Sequence, residues 1–149
     1  MMFHLQVSGL PELERAILKI DSALDTQGIL DEGAAVLFNR VRTRFLAQTD
    51  PEGHRWPPSK ASLLRAKRNR GGGTLFDTGD LFRSLQVYVS SENTREIGTN
   101  VTSPSGFPYP VVHNFGLAGF PRREFLGFAE DDLNIMSRVI MYRIVKALG

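Results

Sequence analysis

Cysteine is absent from the 149 residues, so disulfides, thiolate metal sites and cysteine nucleophiles are excluded together. Long apolar runs are missing as well. No stretch approaches the ~20 residues that a membrane-spanning helix needs. Met1-Met2-Phe3-His4-Leu5 lacks a basic segment ahead of an apolar one, so no secretory leader is visible and synthesis inside the cell is the expectation. The histidines are His4, His54 and His113, far apart and without the H-x-x-x-H spacing of a metal pair. There is no Gly-x-x-x-x-Gly-Lys phosphate loop and no Gly-x-Ser-x-Gly nucleophile elbow, and Gly71-Gly72-Gly73 is followed by no lysine. No cofactor is implied.

What is present suits one globular domain over residues 1–149. Hydrophobic residues make up 42% and charged residues 23%, ordinary values for such a domain. A chain of this length buries roughly two-thirds of its unfolded surface, enough for one real core. The net charge is only +2, but its distribution is uneven. Between Arg40 and Arg70 stand nine basic residues against Asp50 and Glu52, a surplus of seven. The remaining positions must then sum to −5. Such asymmetry favours head-to-tail contact between copies.

Periodicity gives the elements. Phe3, Leu5 and Val7 alternate with polar neighbours as a short strand ended by Gly9. Leu13, Ile17, Ile20 and Leu24 recur at helical spacing after Pro11. A clearer helix follows, with Leu30, Ala34, Leu37, Val41 and Phe45 on one stripe. It stops before Asp50-Pro51-Glu52-Gly53. From about residue 50 to 74 the chain reads as a long basic loop projecting from the core, with one helical patch at 59–67 capped by Ser59. Leu85, Val87 and Val89 then alternate as a strand, and Arg95 to Thr99 returns antiparallel. A short segment around Val111, His113 and Phe115 comes next. The last helix starts near Phe128, its acidic first turn and later basic residues matching the helix dipole. Its apolar stripe runs Leu133, Met136, Ile140, Ile144, Ala147. The fold class expected is α+β: a small antiparallel sheet on two or three helices.

Leu75-Phe76-Asp77-Thr78-Gly79 invites comparison with aspartic proteases, whose chemistry needs two carboxylates sharing one proton. One motif per chain would require a dimer. Asp80, next in the chain, adds a further charge where those enzymes usually have alanine or serine. The structural reading is preferred: Asp77 or Thr78 caps a short helix begun by Leu81-Phe82-Arg83-Ser84, and Gly79 makes the tight turn. On that reading Asp77→Ala removes a cap worth ~1 kcal/mol.

Arg55 to Arg70 contains six positive and no negative side chains. It suits non-specific proximity to DNA phosphates or docking on an acidic neighbour. No helix-turn-helix, zinc-finger or RNA-binding signature accompanies it. Trp56-Pro57-Pro58 has two readings: Trp56 folds onto its own core, or it anchors a neighbouring subunit.

Six pieces in order suggest a family. They are Asp50-Pro51-Glu52-Gly53-His54-Arg55-Trp56-Pro57-Pro58, a lysine-containing stretch ending at Lys67, Thr74 to Leu81 with Ser84, and Ile97-Gly98-Thr99-Asn100. Tyr109 with His113 and Gly116 follows, then Pro121-Arg122-Arg123-Glu124-Phe125-Leu126-Gly127. The chain resembles the phage virion-morphogenesis (tail-completion) proteins of tailed bacteriophages. It departs at Pro110, where the family often has alanine, and at Arg122-Arg123-Glu124, where a single arginine is usual. The resemblance implies a non-catalytic virion protein at the head–tail junction, made in the host cytoplasm. It implies a homo-oligomeric ring, a hexamer, that meets the tail tube protein and the head–tail connector proteins and no membrane. A head-side connector subunit is the nearest alternative. Interface residues expected on this reading are Arg55, Trp56, Pro57, Lys67, Arg68 and Arg70 on the arm, with Arg122, Arg123 and Phe125 at a second contact.

Overall fold

A computed structural model describes residues 2–4 and 25–148. Strand β1 (Met2–His4) is followed among these residues by helices α1 (Thr26–Ala47), α2 (Lys60–Lys67) and α3 (Asp80–Ser84). Strands β2 (Gln86–Ser91) and β3 (Thr94–Gly98), helix α4 (Tyr109–Phe115) and helix α5 (Glu130–Leu148) complete the order. The fold is α+β, as the alternation of periods 2 and 3.6 predicts. The helix expected around Leu13 to Leu24 lies outside the described residues.

The sheet is antiparallel with order β1-β3-β2, so β3 is central. Met2 pairs with Glu96 on one side, and Val87 pairs with Ile97 on the other. Helix α1 packs on the sheet, and α5 packs on α1. Helix α1 starts at Asp25, whose carboxylate accepts from the Gly28 N–H at 2.9 Å. Its inward stripe is the expected one: Leu30, Ala34, Leu37, Val41 and Phe45 are buried. Gly33 lets α5 approach closely, since a Cβ there would lie 2.3 Å from the Met136 methyl.

On α5 the inward line differs from the expected stripe. Met136 is buried, but Leu133 and Ala147 are exposed. The slot one turn before Met136 belongs to Asp132, which is fully buried. Its carboxylate accepts two bonds of 2.7 Å from Arg44 Nη2, a bond from Arg40 Nε, and one of 2.8 Å from the Ala129 N–H. An acid that looked like a partner for the helix dipole is therefore the polar pin between α1 and α5. Burial pushes its pKa up, yet the Ala129 N–H and the two guanidinium groups outweigh that and hold it below the usual aspartate range.

The core gathers at the end of α1. Four aromatic rings surround Phe45: Trp56 at 5.3 Å, Phe82 at 5.6 Å, Phe125 at 5.7 Å and Phe76 at 6.3 Å between centroids. Three meet it edge-on and Phe82 is tilted, arrangements favoured by ring quadrupoles. Leu81, Leu85, Ile97 and Leu126 close the cluster.

Phe45 is fully buried among rings that cannot collapse into its place. Phe45→Ala should therefore lower the unfolding free energy by about 3–5 kcal/mol in urea denaturation, whereas Leu46→Ala, on the exposed side of the same turn, should cost less than ~0.5 kcal/mol.

Candidate functional site

The segment 50–74 does not project as a whole. Gln48 takes a left-handed conformation at the end of α1 and turns the chain. Asp50 N–H then bonds His54 O at 2.9 Å, Thr49 bridges Arg55, and Trp56 N–H donates to Gln48 O at 2.8 Å. This small hairpin lays Trp56 over Phe45. Only 6% of Trp56 is exposed, and its indole N–H donates to Glu124 O at 3.1 Å. Of its two readings, the first holds: it folds onto its own core. Helix α2 is equally tethered. Ser59 caps it as expected, accepting from Ser62 N–H at 3.0 Å, and the buried Thr74 hydroxyl bonds both Ser59 N–H and Ser62 Oγ at 3.1 Å.

A second clasp comes from 121–127. Arg123 is 3% exposed, so it is no surface contact. Its Nε donates to Pro57 O at 2.7 Å and Nη2 to Pro58 O at 3.4 Å, while Nη1 faces His113 Nδ1 at 3.0 Å. Asn114 holds the next stretch: Oδ1 accepts from Phe125 N–H and Leu126 N–H, and Nδ2 donates to Leu126 O. Phe125 is core too. The residues expected at a second contact thus divide, with Arg122 outside and both Arg123 and Phe125 within. Asn114 was not singled out from sequence. Its signal was a polar residue one helical turn after Pro110, on the buried side of α4.

The Asp77-Thr78-Gly79 turn has a local role, though not the expected one. Gly79 itself is the N-cap residue, with φ 83°, where a side chain would be strained. Thr78 Oγ1 donates to Asp80 Oδ2 at 2.5 Å, and Arg83 donates to the other carboxylate oxygen at 2.7 Å. These bonds, Thr78's first, hold Asp80 below the usual range. Asp77 caps nothing; 74% exposed, it pairs with Arg65 at 3.2 Å, so the cap-sized loss expected of Asp77→Ala has no basis. An exposed carboxylate beside a guanidinium is the reverse of the close carboxylate pair that proton sharing needs.

Surface features are of two kinds. Arg55, Pro57, Lys60, Lys67, Arg68 and Arg70 are exposed, and among the described residues none of these cations has an ion-pair partner. On the other flank of α4, a groove of about 490 Å³ is lined by Pro108, Val111, Phe115 and Leu126. Apart from Phe125 and Leu126, its lining comes from a stretch, 97–121, with no Asp, Glu, Lys or Arg. No group of three or more His, Asp or Glu positioned for a metal occurs among the described residues.

The model of the phage virion morphogenesis family matches residues 10–144. The chain belongs to that family. No curated relative and no solved structure matches it. Family membership gives the six sequence pieces a common physical meaning. Trp56, Leu81, Ile97, Phe125 and Leu126 are neighbours in one core cluster, and Tyr109 packs against it. Arg123 and His113 tie two of the pieces together. The family-like residues are thus largely the packing units of one core.

The clasp has a pH signature. Burial, and after it the Arg123 charge, hold His113 below the ordinary histidine range. Its Nδ1 accepts from Arg123 only while unprotonated. The unfolded chain takes up a proton near the ordinary value of about 6.5, so this contribution is full above that pH and is lost as pH falls toward the lowered folded value. Urea denaturation should give lower stability at about pH 5.5 than at about pH 7.5. His113→Gln, which keeps an acceptor and does not titrate, should shrink that difference.

Proposed function

We propose that this virion morphogenesis protein is a structural subunit completing or terminating the tail at the head–tail junction, where copies form a homo-oligomeric ring. The family match across most of the chain carries the reading. Support comes from how the polar residues are spent. Asp77, Thr78, His113 and Arg123 each have a structural partner within the subunit, and among the described residues no carboxylate pair shares a proton-sized gap. The exposed residues of the arm, Arg55, Pro57, Lys67, Arg68 and Arg70, together with Arg122, are the proposed contacts with neighbouring copies, tail tube protein or connector. A ring needs two different surfaces on each subunit. The uneven charge of the chain offers them.

A phage carrying a stop codon early in this gene should accumulate DNA-filled heads and separate tails in electron micrographs of lysates. Supplying the protein in trans should restore joined particles. Normal joined particles without the protein would refute the reading, and empty heads with no tails formed would place it elsewhere.

A further inference from the structure

Helix α2 presents an unusual outer face. Leu63 and Leu64 are adjacent and 51% and 54% exposed, although the helix is pinned from below through Ser59, Ser62 and Thr74. Lys60 stands before the pair, and Lys67 and Arg68 stand after it, all exposed. An apolar centre within a charged rim is the anatomy of a protein interface. A phosphate-binding surface would need the cations but would gain nothing from two exposed leucines.

The same chain carries a surface of opposite sign. At the start of α5, Leu133 is 57% exposed beside Glu130 and Asp131. Glu52, on the small hairpin, lines the same depression as those two acids and Asp50; the arginines there, Arg40 and Arg44, are paired with Asp131 and Asp132. Among the described residues Glu52 and Glu130 have no ion pair, while Asp131 shares Arg40 with Asp132. No described hydrogen bond or ion pair joins α2 to α5. In the segment 121–127, Arg123 bonds Pro57 just before α2 and Gly127 stands against Pro51. The two surfaces share no residue.

We infer that the outer face of α2 docks on the start of α5 of a second copy, with Leu63 and Leu64 against Leu133. Lys67 and Arg68 then face Glu130 and Glu52 of that copy. Opposite charges at the rim set register and orientation, and the apolar centre supplies the burial. Because the two surfaces differ, the contact is heterologous and repeats from copy to copy instead of stopping at a dimer. The inference rests on the reading that copies meet head to tail, and it names the contact.

The absence of cysteine makes a clean test possible. A Leu63→Cys, Leu133→Cys double variant, treated with a mild oxidant, should give a ladder of covalent species beyond the dimer on non-reducing gels. Each single variant should stop at a dimer. Adding Lys67→Glu and Arg68→Glu should abolish the ladder, and further adding Glu52→Lys and Glu130→Lys should restore it. Circular dichroism confirms that each variant is folded. Absence of species beyond the dimer, or a ladder indifferent to charge reversal, overturns the inference. Retention of a DNA duplex by α2 without any ladder overturns it in favour of a polyanion surface. The outcome is separable from the junction role. A ladder-forming protein found elsewhere in the particle refutes only the junction, and a junction protein without a ladder refutes only this contact.

Discussion

Phe45 stands where five stretches of chain meet. Its own helix supplies one; Trp56, Phe76, Phe82 and Phe125 arrive from the others, and each ring packs on the same phenylalanine. Those four residues lie in segments that are otherwise short or irregular and have little periodicity of their own. Burial of large rings, each worth a few kcal/mol, is what holds such segments in place. Once Trp56 is fixed on Phe45, the hairpin at 49–55 must close. The chain then leaves toward α2 in one direction only. The apolar Leu75-Phe76 step likewise sets where the Asp77-Thr78-Gly79 turn stands, which is why that turn has its carboxylates outside.

Polar groups make the arrangement specific. Arg123, Asn114, Asp132 and Arg95 are buried, and each joins segments distant in sequence. Arg95, central in β3, donates to Asp31 on α1 at 2.5 Å and to the hairpin carbonyls Ser91 O, Glu92 O and Thr94 O. A buried charge without partners would cost several kcal/mol, so each of these side chains tolerates one geometry and penalises others. The aromatic cluster drives collapse, and the clasps choose the register.

This division explains what could be read from the sequence. Helix α1, the β2–β3 hairpin and the Ser59 cap were legible because they follow local rules: a 3.6-residue stripe, a two-residue alternation, a side chain three positions from an N–H. The position of Leu133 was misread because the same stripe rule assigns apolar residues inward, and here Asp132 holds the inward slot with two arginines from another helix. Arg123 was noticed for its chemistry but set on the wrong side of the surface, and Trp56 was left between its own core and a neighbour. Nothing local distinguishes an arginine that will bond Pro57 O, 66 residues away, from one that meets a partner. The loop at 50–74 looked free because its polar composition hides tethers at Gln48, Thr74 and Gly73.

What remains outside after this packing includes a cationic arm with two leucines, an acidic helix start and an uncharged groove, and the first two are the surfaces proposed for assembly. This packing requires Trp56 to be internal to the free subunit. Since Trp56 is the only tryptophan, its fluorescence reports on that point alone. Emission from the isolated protein should already be blue-shifted and poorly quenched by iodide, and it should change little when particles assemble. A red-shifted, readily quenched signal that turns blue only on assembly would show that the tryptophan belongs to an interface and that the core described around Phe45 is wrong.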